Sequence, residues 1–323
     1  MNSPAPRSAN LLASASMLAI VFAMQVSAEV TTSNPSQCFT AQTVNGEILM
    51  NGDCTGDVNG KAAVFITQGG TEVPVTLQSG SITQKGTGEA AFYLRSQGNN
   101  GSHGENASFT NTSSSSGGNG AQGGDLSLTN NGAITSNADN AEGMEAFSIG
   151  GNGGDGGSGW GLYGPSAGGN GGNGGIVDVV NTGSIRTSGY NSAGIAGHSE
   201  GGTGGRGGDS GWMPGGGTGG RGRNSGNEVD VTNNGTITTT GGRSAGIVGQ
   251  SIGGGGGNGG PAQNLFFALG AQGGPGGVGR EVEIQNNGAI TTEGSGSNGI
   301  TAISVGGGGG HGGTAIDLSA FAG

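Results

Sequence analysis

The sequence predicts an all-β chain: a parallel β-helix, or solenoid, of repeats about 52 residues long with glycine-rich loops between the strand blocks. Composition is the first of three observations behind this. Glycine supplies 82 of 323 residues, while charged residues make up 10% and aromatics 4%. A chain so poor in large side chains cannot fill one irregular core, because glycine adds backbone entropy cost and nothing to bury. Charge is too scarce, and Val and Ile are too regularly placed, for a disordered polyelectrolyte. What remains is a set of short strands stacked on copies of themselves. The second observation is an apolar alternation of period two, and the third is a set of spacings that recurs five times.

In chain order, residues 1–28 read as a signal peptide. Arg7 gives a weakly positive start, Leu11 to Val26 an apolar stretch, and Val26-Ser27-Ala28 a small-residue site, so cleavage is expected between Ala28 and Glu29. The apolar stretch includes Ser14, Ser16 and Gln25 and is shorter than the roughly 20 residues that span a bilayer. The exported chain is acidic: the net charge is −11, and removing residues 1–28 takes away a base and no acid. Such a surface repels nucleic acid and anionic lipid.

Residues 29–60 read as an N-terminal cap. Cys38 and Cys54 are the only cysteines, and in an exported chain they are expected to form a disulfide around a hairpin, the loop between them having apolar runs around Val44-Asn45-Gly46 and Asn51-Gly52. Their spacing and the lack of a nearby histidine argue against a redox pair or a metal site.

Residues 61–323 carry the repeat, with strand blocks at about 73–98, 126–151, 177–202, 229–254 and 281–306. Turn glycines fall at Gly80, Gly132, Gly183, Gly235 and Gly288, each followed two residues on by Ile82, Ile134, Ile185, Ile237 and Ile290. Phe92, Met144, Ile195, Ile247 and Ile300 come next, and then Ser96, Ser148, Ser199, Ser251 and Ser304. Within one copy, Val229, Val231, Asn233 and Ile237 alternate with Asp230, Thr232, Thr236 and Thr238, which places the first set inward. Asn233-Asn234-Gly235 reads as a turn whose residues tolerate positive φ. Stacked copies would set Ile over Ile and Asn over Asn, the asparagine amides bonding along the stack. The intervening glycine segments, such as IGGNGGDGGSGWGLYGPSAGGNGGNGG, read either as outward loops or as close-packed extended helices. Loops are the expectation, each pinned by an apolar anchor: Phe109, Trp160, Trp212, Leu265/Phe266/Phe267 and Leu318.

Several strings carry a chemical look. Gly197-His198-Ser199-Glu200-Gly201 fits the G-x-S-x-G elbow of a nucleophilic serine. Its counterparts read Ala146-Phe147-Ser148-Ile149-Gly150 and Gly249-Gln250-Ser251-Ile252-Gly253, so the serine belongs to the repeat. No helix follows it, and a histidine next to the serine in sequence is not placed as a triad base. Gly208-Asp209-Ser210-Gly211 copies a protease string, yet His103, His198 and His311 all fall in or beside glycine tracts. The strings ending at Asp155 and Asp209 begin like the calcium nonapeptide, but lack its apolar residue and its tandem copies. The glycine runs have no G-K-[ST] to cradle a phosphate. No catalytic, cofactor-binding or metal-ligating residue is therefore expected, and no cofactor.

A signal peptide followed by repeated V-x-V-x-N-x-G-x-I-x-T and Ser251-Ile252-Gly253-Gly254-Gly255-Gly256-Gly257 resembles the glycine-rich passengers of Gram-negative autotransporters, the type V secretion family. The resemblance covers residues 29–323 and implies a β-helix displayed on the cell surface or outer membrane, or secreted, through an outer-membrane barrel. It implies an adhesin, aggregation factor or surface coat, whose partner is a host or matrix surface or another copy on a neighbouring cell. No segment has a barrel's alternating strands and aromatic girdles, so the chain reads as truncated, with the barrel expected downstream. Two other classes are a glycine-rich coat protein without a barrel and a β-helix enzyme acting on polysaccharide. The enzyme would need acids or bases clustered across adjacent copies, where this chain places mostly Thr and Ser. Neither a nucleic acid nor a small-molecule substrate is expected.

Overall fold

A computed structural model describes residues 29–32, 40–44, 47–55, 64–68, 74–160, 162–211, 215–222, 228–264 and 267–317. The fold is all-β, with no helix among the described residues. It begins with β1 (Glu29–Thr32), β2 (Thr40–Val44), β3 (Glu47–Thr55), β4 (Val64–Gln68), β5 (Val75–Gln84) and β6 (Phe92–Gln97). Three sets of three follow: β7 (Leu126–Asn130), β8 (Ala133–Ser136), β9 (Met144–Ile149); β10 (Val177–Asn181), β11 (Ser184–Thr187), β12 (Ile195–Glu200); β13 (Glu228–Asn233), β14 (Thr236–Thr239), β15 (Ile247–Ile252). A short β16 (Ala262–Asn264) precedes β17 (Glu281–Asn286), β18 (Ala289–Thr292), β19 (Ile300–Val305) and β20 (Ala315–Asp317).

Partners in these sheets come from successive strand blocks. One sheet runs β1-β4-β6-β9-β12-β15-β19, and another runs β17-β13-β10-β7-β5-β8-β11-β14-β18, with β2 and β3 attached at β5. Pairing is parallel throughout except for β1 with β4 and β2 with β3. The long β5 spans two stacks, since β7 pairs with its first half and β8 with its second. Register follows the sequence alignment: Val177 lies beside Val229, Ile185 beside Ile237, Ile195 beside Ile247. The arrangement is solenoid-like, each set of three strands a rung on the one before. Its core is a run of such columns, with Val177, Val179, Ile185, Ile195 and their equivalents as far as Ile247 buried, each worth about 1.5–3 kcal/mol, while Val282, Ile284 and Ile290 of the last strands are partly buried.

The Asn column stands as expected. Asn130 Nδ2 donates to Asn181 Oδ1 at 2.8 Å, Asn181 to Asn233 at 2.7 Å, and Asn233 to Asn286 at 2.7 Å. The turn glycines differ from expectation at four of five places. Gly132, Gly183, Gly235 and Gly288 lie outside the left-handed region; of the five, only Gly80 has positive φ, 102°, and it sits inside β5 rather than in a turn. Glycine is required there by close approach: a Cβ on Gly235 would lie 1.9 Å from the carbonyl oxygen of Gly183 in the rung below. The left-handed position falls in the second turn instead, at Asn140, Asn191, Arg243 and Gly296.

The N-terminal strands join the same sheet as the strand blocks. The hairpin is present as β2 against β3, Val44 facing Glu47, with its turn outside the described residues. Yet β3 also pairs in parallel with β5, putting Gly52 beside Gly80 and Cys54 beside Ile82. Cys54 thus occupies the isoleucine column, buried and disulfide-bonded. Its expected partner Cys38 lies outside the described residues, as do Ala28 and the rest of residues 1–28, while Glu29 opens β1.

The glycine segments are not loops. Each leaves the end of one strand as an extended outbound limb, turns, and comes back as a return limb. Hydrogen bonds recur every third residue, as in the threefold polyproline-II helix, which has no internal bonds of its own. Gly150, Gly153, Gly156 and Gly159 N–H donate to the carbonyls of Glu200, Thr203, Arg206 and Asp209 in the next outbound limb. Gly151, Gly154 and Gly157 donate to Ala121, Gly118 and Ser115 in the return limb of the rung before. The third N–H of each turn, on Asn152 or Ser158, is taken by the side chain one rung below, Asn100 Oδ1 at 2.9 Å or Asn106 Oδ1 at 2.7 Å. Two faces of each interior limb therefore touch other backbones and the third faces water, which accounts for the G-G-x pattern. A Cβ on Gly169 would lie 1.9 Å from the Gly118 oxygen. Among the described residues the first outbound limb has no limb below it, and there Asn99, Ser102 and Glu105 stand where later rungs have Gly151, Gly154 and Gly157.

The apolar anchors are corrected with the loops. Phe109, Trp160 and Phe267 are exposed at the far ends of the limbs and pin nothing, because backbone bonds along the limbs already do so. Trp212, Leu265, Phe266 and Leu318 lie outside the described residues.

Candidate functional surfaces

Strand alternation decides what the G-x-S-x-G string can do. In β12, Ile195, Gly197 and Ser199 face inward, while Ala196, His198 and Glu200 face outward. Ser199 is buried, its Oγ donating to Gly175 O at 2.7 Å. Ser148 shows the full pattern, donating to Gly124 O at 2.8 Å and accepting from Gly175 N at 2.8 Å. The serine column is thus a seam joining each strand to the limbs returning beside it. His198 points from the opposite face, and Ser210 of the GDSG string is buried within the limb array. His103 and His311 occupy the water-facing third positions of outbound limbs; His103 lies 3.5 Å from Asp155 in the neighbouring rung. The structure therefore brings no histidine to either serine.

The outer face of the sheet β6-β9-β12-β15 carries the richest cluster. Tyr93 and Arg95 on β6, Glu145 and Phe147 on β9, His198 on β12 and Gln250 on β15 sit in adjacent rungs. The His198 ring contacts Gln250 Oε1 through Nδ1 at 3.2 Å, and its Nε2 is 3.9 Å from Glu145 Oε1. Phe147 meets the same ring edge-on at 5.5 Å. Two cavities of about 200 and 210 Å³ share His198 and Gln250 as walls, the first reaching Glu142 and Arg243, the second Glu145 and Phe147. Burial lifts the Glu145 carboxyl to about 8, helped by Glu142 and Glu89 and opposed by Arg95. Burial lowers His198, against a smaller opposing effect of its bond to Gln250. Near neutral pH this is a largely uncharged carboxyl–imidazole pair beside an aromatic face, suited to hydrogen bonding. Sequence inspection passed over Glu145 because only β-strand register reveals that it lies one rung from His198.

A second cluster lies on the outer face of β10, β13 and β17, where Asp178, Asp230 and Glu283 stack in register. Carboxylate oxygens of Glu228, Asp230 and Glu283 lie within 4.8 Å of one another, the one group among the described residues with such spacing. Asp230 is raised by its own desolvation and then by Glu283 and Asp178; Glu228 is raised chiefly by Asp230. Stacking repeats like charges at the rung spacing, and the cluster is a local electrostatic cost.

Comparison with family models, with curated proteins and with solved structures gives no match. The functional argument therefore stands on these geometries.

Proposed function

We propose that the chain is the exported, surface-displayed part of an autotransporter-like protein, a parallel β-helix of about 52-residue repeats that works as an adhesive, aggregating or coat-forming scaffold. One observation supports this most: the side chains that gave the sequence its catalytic look are used up in stacking. The serine column joins strands to limbs, and the asparagine column joins rung to rung. A rigid repetitive surface presenting short polar side chains suits contact with another surface better than turnover of a small molecule.

The test is expression of the full chain in a Gram-negative host, followed by sequencing of the processed N-terminus and scoring of cell aggregation and surface attachment. Export with Glu29 as first residue is expected, and Ser199→Ala, where it folds, should keep aggregation or attachment unchanged. A cytoplasmic, uncleaved product would overturn export, and a fluorophosphonate probe labelling Ser199 would overturn the scaffold reading.

A further inference from the structure

The third strands of successive rungs repeat on their inner face but not on their outer one. Register aligns Arg95, Phe147, His198, Gln250 and Ile303 in one outward column, five different chemistries in a line. The inward column beside it is serine five times, from Ser96 to Ser304. Stacking favours like over like, so the fold itself does not call for the mixed column. The other outward column holds Glu145, Ala196 and Val248 over three rungs. Ala196 is too short to fill the space between its larger neighbours, and Ala193 and Ala245 are equally short just before β12 and β15.

The gap becomes the two adjoining hollows of about 200 and 210 Å³ that share His198 and Gln250, bonded to each other, as a common wall. Together they reach the roughly 300–1,000 Å³ usual for a small-ligand site. The first hollow lies toward the start of these strands, at Asn191 and Arg243, and the second toward their ends, at Glu200 and Ile252. An aromatic ring stands in or beside each. Phe147 lines the second, and Arg243, a wall of the first, has its guanidinium carbon 5.9 Å from the ring centre of Tyr190. A neutral imidazole, a side-chain amide and a protonated carboxyl each offer both a donor and an acceptor. Burial keeps the proton on Glu145 and off His198, so the pair carries little charge near neutral pH. These groups are fixed in advance: strand register holds those of β9, β12 and β15, and Asn191 donates to Asn140 Oδ1 at 3.0 Å. Little ordering entropy is left to lose on binding.

We propose that the two hollows bind adjacent units of a neutral oligosaccharide, which runs along the strands across His198 and Gln250. A sugar ring has an apolar C–H face that lies on an aromatic ring and a rim of hydroxyls that donate and accept. The second hollow offers partners for both. A wholly apolar ligand would leave Glu145, His198 and Gln250 desolvated without partners. An acidic ligand meets Glu142, Glu145 and Glu200 in the walls and a net charge of −11. A cationic one meets Arg243 in the first hollow and, in the second, a carboxyl that already holds its proton. The proposal names a partner for the surface contact proposed above and rests on that reading only for bringing the hollows to external glycans.

The experiment screens the purified full chain on a printed panel of neutral, sialylated and sulfated oligosaccharides. Calorimetric titration then compares the tightest neutral tetrasaccharide, its monosaccharide, a chitosan tetramer and a heparin tetrasaccharide. The neutral tetrasaccharide is expected to bind about tenfold or more tighter than its monosaccharide, because only the longer ligand fills both hollows. Variants are drawn from residues the same columns already hold: Phe147→Gln copies Gln250, and Ala196→Val copies Val248. Both are expected to keep the fold, which circular dichroism would show, and each should lose about tenfold or more in affinity. Glu145→Gln retains a donor and an acceptor and should still bind. Thr238→Ala, on the sheet of β8, β11, β14 and β18, should bind like the parent. Preference for the chitosan or heparin oligomer over every neutral one would overturn the proposal. So would a panel with no neutral binding, or full affinity in either Phe147→Gln or Ala196→Val. Processing at Glu29 and cell aggregation are scored separately, so failure on the panel leaves the scaffold reading standing.

Discussion

The side-chain amide of Asn181 donates to Asn233 Oδ1 at 2.7 Å across 52 residues of chain, and both residues are fully buried. Asn181 also accepts from Asn130 at 2.8 Å, so each interior amide serves two neighbours. Asn181→Leu keeps the volume and leaves a donor on Asn130 and an acceptor on Asn233 without their partners. At about 1–3 kcal/mol for each orphaned group, a loss of roughly 2–6 kcal/mol is expected. Denaturant unfolding would measure it. The same change at exposed Asn286, the end of the column, should cost less than half as much.

Gly169→Ala and Gly308→Ala test the close packing of the limbs. A Cβ at Gly169 would lie 1.9 Å from the Gly118 oxygen, whereas at Gly308 it meets nothing within 4 Å. The first should cost about 3 kcal/mol or more, because a backbone carbonyl cannot step aside as a side chain can. The second should stay within about 0.5 kcal/mol. Equal effects in calorimetry would contradict the array.

Stability should fall as the solution is made alkaline. The Glu145 carboxyl stands at about 8 in the folded chain against 4.5 for a free carboxyl, so the folded state binds the proton more tightly. Its contribution is full below pH 4.5 and is lost as pH rises through about 8. His198 acts in the opposite sense: its contribution is present above its ordinary value and is lost as pH falls through its lowered one. Glu145→Gln should stabilise the chain at pH 9 by an amount on the order of 2 kcal/mol and leave stability at pH 4 nearly unchanged. Thermal midpoints across that range would check both.

The strand blocks were legible because period two and a constant spacing act together and place Val229, Val231 and Ile237 inward from the sequence alone. The asparagine column followed from the same alignment. The limbs were misjudged because most of their hydrogen bonds go to other limbs far along the chain, so little local signal distinguishes them from loops. Their signal was a period of three, Gly150-Gly151-Asn152-Gly153-Gly154-Asp155-Gly156-Gly157-Ser158, with a short side chain at each third place. The rung hidden in the cap was readable too: Asn51-Gly52-Asp53-Cys54-Thr55 matches Asn234-Gly235-Thr236-Ile237-Thr238 once cysteine is allowed in an isoleucine slot. Glu145 beside His198 was not, since it depends on which face of which rung each one occupies.

The threefold period of the limbs also makes their alignment degenerate. Sliding one limb past its neighbours by three residues, about 9 Å, restores every glycine contact and every carbonyl acceptor. Nothing in the backbone bonding of the array selects one alignment over the next, much as a screw thread fits its nut at every full turn. The asparagine and serine columns set the phase, because their side chains recur only once per rung. Insertion of a Gly-Gly-Asn triplet into one outbound limb would therefore be absorbed as a longer limb, while a single inserted glycine would throw that limb out of step from the insertion to its tip.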